Sequence, residues 1–184
     1  GMLPIVPNNV TIRNGTVRDW GGGGITVNGK IVLKDVIITS NAGSGAVLHG
    51  TIVLKDVIIS SNGGSGAVLD GTIVLKDVII TSNSGGGAIV GNGAHMEDVS
   101  FCYNTGNGLE ARDTCIITRA TAEGNTLDGI VTGESVSMTD VVTDLGIALK
   151  GNGLLTMTMD PKRGRLYAVT YPQAHFLYFD LKTG

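Results

Sequence analysis

The sequence has few of the residues that build most globular enzymes. Aromatic residues make up 4% and charged residues 16% of its 184 residues, and there are two cysteines and four prolines. The net charge of −3 gives no indication of the basic face that a nucleic-acid partner needs, so we expect none. Cys102 and Cys115 lack the spacing of a metal site, and two unpaired thiols are the simplest interpretation. No apolar run reaches the length of a membrane-spanning helix.

The first eight residues carry little information about the fold. Gly1 before Met2 is typical of a cleaved expression tag, and the following LPIVP has neither the basic start nor the long apolar stretch of a secretory signal. We therefore treat residues 1–8 as a tag residue and an N-terminal lead-in.

Glycine, in contrast, is abundant at 29 residues, and valine, isoleucine and threonine are plentiful. This composition favours strands separated by glycine turns, so we expect an all-β protein. Residues 30–92 repeat nearly the same segment three times, as KIVLKDVIITSNAGSGAVLHG, TIVLKDVIISSNGGSGAVLDG and TIVLKDVIITSNSGGGAIVGN. A fixed period of 21 residues predicts one supersecondary unit stacked on its own copies.

The 21-residue frame extends without insertion from residue 9 to residue 134, and an incomplete seventh copy follows. Positions within a repeat are numbered 1 to 21, starting at Asn9, Lys30, Thr51, Thr72, Gly93, Thr114 and Ser135. Position 12 is asparagine in five consecutive repeats, at Asn41, Asn62, Asn83, Asn104 and Asn125. Position 16 is glycine in six repeats, at Gly24, Gly45, Gly66, Gly87, Gly108 and Gly129.

The alternation of apolar and polar residues predicts three short strands in each repeat, around positions 2–5, 7–10 and 16–20. Positions 2, 4, 7, 9, 17 and 19 are expected to face inward. Because each strand can pair with its equivalent 21 residues later, we expect a parallel β-helix of about seven coils over residues 9–153. The stacked asparagines would bond from coil to coil, and the glycines would supply a backbone geometry that residues with a Cβ resist.

The 21-residue coils, the stacked asparagines and the opening NVTIRNGTVRDWGGGGI resemble the right-handed parallel β-helix repeats of the pectate-lyase-like superfamily. That superfamily includes polysaccharide lyases, galacturonan hydrolases, epimerases and phage tailspikes. The resemblance therefore implies a single-stranded right-handed β-helix, an acidic polysaccharide as partner, and an extracellular or cell-surface location. No motif of the galacturonan hydrolases is intact here, so whether the chain is an enzyme stays open.

Residues 154–184 differ in character and hold five of the eight aromatic residues. Two segments of alternating apolar and polar residues, RLYAVTY and HFLYFDL, predict a β-hairpin, and their sequences are similar to those of strands in a β-propeller blade. We expect this hairpin to cap the open edge of the β-helix. The alternative is the start of a second domain that is truncated.

The candidate catalytic residues are predicted on the outward face of the third strand. His49 and Asp70 occupy position 20 of adjacent repeats, about 5 Å apart at strand spacing, which suits an acid/base pair. Arg112 occupies position 20 further along, and Glu110 occupies position 18. The alternative is that all four are solvated polar residues at positions that vary between copies. No cofactor is predicted for this face.

Position 6 carries a column of acidic residues, namely Asp35, Asp56, Asp77 and Asp98, with Asp140 beyond them. Carboxylates stacked at strand spacing repel one another, so something must compensate for their charge. Turn formation beside Lys34, Lys55 and Lys76 is the simpler explanation. Calcium bridging is the alternative.

Outward positions of the three near-identical repeats are themselves apolar. They form three columns: Val32, Val53 and Val74; Ile37, Ile58 and Ile79; and Val47, Val68 and Ile89. Contiguous exposed apolar surface marks interfaces, so we expect lateral homo-oligomers. Two functions therefore stay open, a carbohydrate-associated β-helix and a non-catalytic structural scaffold that assembles through these columns. The fold resemblance favours the first, and the copying of repeats favours the second.

Overall fold

The computed structural model describes residues 9–91, 93–133, 135–143, 153–160, 162–163, 165–171 and 176–180. The chain separates into two compact units, Gly1–Gly146 and Ile147–Gly184. The described residues form strands and turns, and no helix among them is long and apolar enough to cross a membrane. The prediction of an all-β fold is confirmed.

The first unit contains a 10-stranded sheet in which every pairing is parallel. Its strands are β1 Asn9–Arg18, β2 Ile25–Thr39, β3 Ala46–Ser60, β4 Ala67–Thr81, β5 Ala88–Val90, β6 Ala94–Cys102, β7 Leu109–Ala111, β8 Cys115–Ala122, β9 Ile130–Thr132 and β10 Val136–Thr143. Each residue pairs with the residue 21 positions away, as Ile31 with Ile52 and Ile52 with Ile73. The strands therefore stack as a parallel β-helix of about six turns, with β10 in an incomplete seventh, and the predicted fold is confirmed.

The core consists of columns of side chains at the predicted inward positions. In the second repeat, Ile31, Leu33 and Ile38 are each 0% exposed and Val36 is 1% exposed. The outward residue between the last two, Ile37, is 40% exposed. Alternation along the strand thus assigns each side chain to the core or the surface, because neighbouring residues of a strand point to opposite faces.

The corners of the coil are tighter than the sequence suggests. In β2, β3 and β4 the three predicted strands run together into one 15-residue strand, because single residues turn the chain. At position 21, Gly29, Gly50 and Gly71 have φ of 136°, 117° and 122°. Backbone in this region carries a steric penalty for a side chain with a Cβ, which explains the glycine.

Position 6 is the second corner, and it is left-handed in all seven repeats. The residues are Asn14, Asp35, Asp56, Asp77, Asp98, Arg119 and Asp140, with φ between 52° and 54°, or 55° at Asp77. Asparagine and aspartate tolerate this conformation better than other residues with a Cβ. The acidic column therefore follows from the backbone conformation, as expected for turn formation. The described residues contain no group of three or more His, Cys, Asp or Glu that could hold a metal ion.

The asparagines of position 12 form the predicted ladder. The Nδ2 of each donates to the Oδ1 of the next, at 2.9 Å from Asn41 to Asn62 and 3.0 Å from Asn62 to Asn83. The same Oδ1 also accepts the backbone N–H of the preceding asparagine, as from Asn62 to Asn83 at 3.1 Å. Each ladder side chain from Asn41 to Asn104 is at most 2% exposed. The ladder thus supplies partners for turn groups that the sheet does not pair.

The glycines of position 16 are required by close approach rather than by an unusual φ. A Cβ added to Gly66 would lie 2.3 Å from Ile80 Cγ2, 2.6 Å from the Gly87 carbonyl and 2.7 Å from Asn83 Nδ2. Gly24 and Gly45 meet the equivalent atoms of their neighbouring coils. The prediction that these positions exclude a side chain holds for a different physical reason, which is packing against the ladder and the next coil.

The second unit is a three-stranded antiparallel sheet of β11 Gly153–Asp160, β12 Arg165–Tyr171 and β13 Phe176–Asp180, in the order β11-β12-β13. The strands β12 and β13 correspond to the two alternating runs of the sequence. The strand β11 was not anticipated. Whether this unit caps the β-helix or belongs to a further domain stays a prediction.

Candidate functional site

His49 and Asp70 lie side by side on the third-strand face, where β3 and β4 pair them directly. Their Nδ1 and Oδ2 atoms are 3.8 Å apart, and the side chains are 46% and 67% exposed. This separation exceeds hydrogen-bond distance, so the contact is an ion pair only when the imidazole is protonated. The two side chains therefore lie next to each other on adjacent coils and are both open to solvent.

Glu110 and Arg112 form a second pair further along the rod. The guanidinium Nε of Arg112 donates to Glu110 Oε1 at 3.0 Å, and the side chains are 63% and 36% exposed for Arg112 and Glu110. The coil between the two pairs has Gly91 at position 20, where an added Cβ would lie 2.5 Å from Asp70 Oδ1. Two rungs at about 4.8 Å each therefore separate the backbones of Asp70 and Arg112.

The third-strand face thus carries two separated charge pairs instead of one convergent group of four. Exposed carboxylate and imidazole groups can accept or donate a proton, and an exposed guanidinium can bind a carboxylate in a bidentate manner. A pocket of about 240 Å³ lies on a different face, where it is lined by Asn9, Val10, Thr11, Lys30 and Val32.

A second charged cluster was not anticipated from the sequence. It lies at the corner between the first and second strands of the fourth to sixth coils. The Lys76 ammonium donates to Glu97 Oε2 at 3.2 Å, and Arg119 also contacts Glu97. Arg119 further donates from Nε and Nη2 to the two oxygens of Asp98, at 2.7 and 2.9 Å. The sequence signal for this cluster is a reversal of charge in the divergent repeats. Glu97 stands at position 5, where the copied repeats have lysine, and Arg119 stands at position 6, where they have aspartate.

This cluster shifts the pKa of its acidic members. The hydrogen bonds from Arg119 and Lys76 hold the pKa of Glu97 below its ordinary value, and those from Arg119 do the same for Asp98. The carboxylates in turn raise the pKa of Arg119. All these side chains are accessible to solvent, and water weakens the attraction between their charges. The two parallel hydrogen bonds from Arg119 to Asp98 therefore contribute mainly by holding the two side chains in one orientation at the corner.

The isoleucine column of the second strand is exposed as predicted. Ile37, Ile58 and Ile79 are 40%, 37% and 43% exposed. In the first-strand column Val74 is 41% exposed, while Val32 and Val53 are half-buried. Lateral association through these columns stays a prediction.

Solved structures share the fold, although no protein-family model and no curated protein matches the chain. The A-module of Azotobacter vinelandii mannuronan C-5 epimerase AlgE6 matches with a TM-score of 0.61 and 15% identity, covering 72% of this chain and 45% of that module. The A-module of AlgE4 from the same organism matches with a TM-score of 0.50 and 18% identity, covering 73% of this chain and 53% of the module. The chain thus spans about half the length of either module, and it shares with them a parallel β-helix fold.

Proposed function

We propose that this protein is a carbohydrate-associated β-helix that binds an acidic polysaccharide along an outward strand face. The observation that supports this most directly is the pairing of His49 with Asp70 and of Arg112 with Glu110 on one exposed face. The printed names of the structural neighbours describe epimerases of mannuronan, which is an acidic polysaccharide. Sequence identity of 15% to 18% supports a shared fold but not a shared reaction. The proposal therefore depends on the residues of the third-strand face.

Each residue of the face has a role that its chemistry suits. The Arg112 guanidinium binds a uronate carboxylate, for which it exchanges part of its contact with Glu110. The imidazole of His49 lies three rungs, or roughly 14 Å, from Arg112, so the two residues contact different sugars of one chain, and His49 serves as the proton acceptor or donor beside Asp70. The proposal is that this face binds an acidic polysaccharide; chemical conversion of the bound polysaccharide is a further possibility that the same experiment tests.

The test is incubation with polymannuronate, polyguluronate and polygalacturonate, with and without calcium. Product absorbance detects lyase action, reducing ends detect hydrolysis, and proton NMR detects epimerisation. Calorimetry measures binding to wild type and to the variants His49→Gln, Asp70→Asn and Arg112→Gln, with Thr105→Ala as an exposed control in the turn before the third strand. We expect weaker binding for the three site variants and no change for the control. An absence of both binding and turnover on every uronate polymer would refute the proposal.

A second candidate function is a non-catalytic scaffold that forms homo-oligomers. The observation that favours it is the exposed isoleucine column of Ile37, Ile58 and Ile79 on the flat second-strand face. Light scattering over a range of concentrations tests it, with Ile58→Lys as the disrupting variant. A wild type that stays monomeric at the highest concentration would rule this function out.

A further inference from the structure

The outward face of the second strand carries no charge over four coils. Positions 7–12 read VIITSN, VIISSN, VIITSN and VSFCYN in the second to fifth coils, which span about 14 Å along the rod. Charged residues stand at these positions on either side, at Arg18 and Asp19 in the first coil and at Glu123 in the sixth. The first-strand and third-strand faces carry titratable residues in the copied coils, as Lys34 and His49 show. The second-strand face is therefore the neutral side of the rod.

Hydroxyl groups follow a regular pattern on this face. In the three copied repeats position 8 is isoleucine, position 10 is threonine or serine, and position 11 is serine. The six hydroxyl residues, here called the hydroxyl array, are Thr39, Ser40, Ser60, Ser61, Thr81 and Ser82. They lie beside the exposed isoleucine column, and the pattern recurs at the rung spacing of about 4.8 Å. Each of the three coils thus presents one branched apolar side chain and two hydroxyls.

Hydrogen bonds hold the hydroxyl array in place. The Ser60 Oγ donates to Thr39 Oγ1 in the preceding coil at 3.2 Å, and Thr81 Oγ1 lies 3.3 Å from Ser82 Oγ. The backbone N–H of Ser61 donates to the Thr81 carbonyl at 3.3 Å. The next residue in each coil belongs to the buried asparagine ladder, which bonds one coil to the next. The hydroxyl array is therefore ordered before a ligand arrives, which lowers the entropic cost of binding.

The serines of position 11 adopt a conformation that serine does not favour. Ser40, Ser61 and Ser82 have φ of 56°, 56° and 57°, in the left-handed region. Aspartate or glycine occupies this corner with less strain, as Asp19 does in the first coil and Gly124 in the sixth. Serine therefore brings a steric cost to the corner of each copied coil. That cost indicates that the serine hydroxyl has a role on the surface beyond forming the turn.

We propose that the second-strand face binds ice through the hydroxyl array and the isoleucine column. Ice is a neutral, regular lattice of water molecules, and each water both donates and accepts hydrogen bonds, as a hydroxyl does. The rung spacing is close to the repeat of water oxygens along one axis of that lattice, so the same contact recurs in each coil. Apolar side chains between the hydroxyls restrict the orientations of the water next to them. This activity goes beyond polysaccharide binding and uses a different face.

A second copy of the chain is the competing occupant of this face. The hydroxyl array and the isoleucine column extend about 10 Å along the rod and about 13 Å along the strand. This is on the order of 100 Å², whereas a stable protein complex buries about 800 Å² on each partner. A neutral face of this size, with more hydroxyls than apolar side chains, matches a neutral lattice of water better than it matches a copy of itself.

The experiment measures how the protein divides between a slowly growing ice crystal and the remaining liquid. The fluorescence of Trp20, the single tryptophan, gives the protein concentration in the melted ice and in the liquid. Ser60→Lys places a long charged side chain in the centre of the hydroxyl array, and Arg18 shows that position 10 accepts such a residue. Thr51→Lys is the matched control with the same change of charge on the first-strand face, where Lys30 occupies the equivalent position. Ser60→Thr makes the position-10 column uniform.

We expect wild type and Thr51→Lys to enter the ice and to slow its recrystallisation, and Ser60→Lys to be excluded as a solute is. Ser60→Thr should enter at least as well as wild type. Circular dichroism at the temperature of the assay checks that each variant is folded. Exclusion of wild type from ice would overturn the proposal, and equal uptake of wild type and Ser60→Lys would overturn its assignment to this face.

Two further measurements separate ice binding from the functions proposed above. A wild type that forms dimers or larger species in light scattering and is excluded from ice would overturn ice binding in favour of the scaffold. Calorimetry with uronate polymers should give the same affinity for Ser60→Lys as for wild type, because the third-strand face is unchanged. A parallel loss of both activities in Ser60→Lys would contradict the separation of the two faces.

Discussion

Replacement of Asn83 by alanine tests whether the asparagine ladder stabilises the fold. The Asn83 Oδ1 accepts the backbone N–H of Asn62 at 3.1 Å and its Nδ2 at 3.0 Å. The Asn83 Nδ2 donates to the Ile59 carbonyl at 3.2 Å and to Asn104 Oδ1 at 3.0 Å. Each hydrogen bond is worth about 1 kcal/mol, and a buried polar group left without its partner costs about 1–3 kcal/mol. Because Asn83 is 1% exposed, we expect Asn83→Ala to lower the free energy of unfolding by about 3–5 kcal/mol.

The measurement is urea unfolding followed by far-UV circular dichroism. Two controls accompany it: Thr105→Ala, an exposed side chain expected to change stability by less than about 0.5 kcal/mol, and Asn41→Ala at the end of the ladder. The Asn41 Oδ1 accepts one bond, from the Trp20 N–H at 3.2 Å, whereas the Asn83 Oδ1 accepts two, so the loss of Asn41 should cost less even though its Nδ2 also donates to Asn62 and to the Val17 carbonyl. The dependence of the unfolding free energy on urea concentration has to be equal in wild type and variants. Equal values show that the same set of coils unfolds in each protein, which has to be checked because a stacked-repeat protein can unfold in parts. A loss below about 1 kcal/mol for Asn83→Ala would refute the reasoning, since water would then replace the ladder at no cost.

Two further predictions concern a glycine and the charged corner. Gly66→Ala should destabilise the protein in the same urea assay, because its Cβ would lie 2.3 Å from a buried isoleucine, whereas Gly22→Ala meets nothing within 4 Å and serves as the control; equal effects would contradict the packing argument. For Arg119→Asn, the stability difference from wild type should be present at pH 7 and shrink as the pH falls below about 4. The reason is that the contacts of Arg119 lower the pKa of Glu97 and Asp98, so the stability that they confer is present above the ordinary pKa and lost as pH falls through the lowered one. A difference that is constant with pH would disprove this linkage.

The fold could be predicted because period and alternation are properties of the sequence itself. A 21-residue frame fixes which residues pair, and the polar residues of the outer repeats fix which side of each strand faces out. Thr16, Ser100 and Thr121 indicated that position 8 is outward, and Ile37 is exposed as a result. The reason for the glycine at position 16 could not be predicted, because contacts to the next coil are distances between residues 21 apart and leave no local signal.

The candidate site was predictable in part for the same reason. Register alone places Asp70 beside His49, but it does not give the 3.8 Å between their side chains or the gap that Gly91 leaves before the next charged residue. The corner cluster around Arg119 was missed because aspartate and arginine look unrelated until both are known to occupy one left-handed corner. Side-chain conformations on an exposed face depend on partners that the alternation of residues does not specify.

Stacking identical coils stabilises the protein at some positions of the repeat and destabilises it at others. A repeated asparagine both donates and accepts, so each added copy gains hydrogen bonds, and the ladder runs through five coils. A repeated lysine gains nothing from its copies, since unit charges at rung spacing repel by about 0.9 kcal/mol in water. Position 5 nevertheless carries a cation in four consecutive coils, at Arg13, Lys34, Lys55 and Lys76. The aspartates of position 6 recur with the same period and offset this repulsion, as Asp35 does for Lys34 at 3.7 Å. A coil that carries both columns can therefore be copied, because each copy brings the counter-charge of its own lysine.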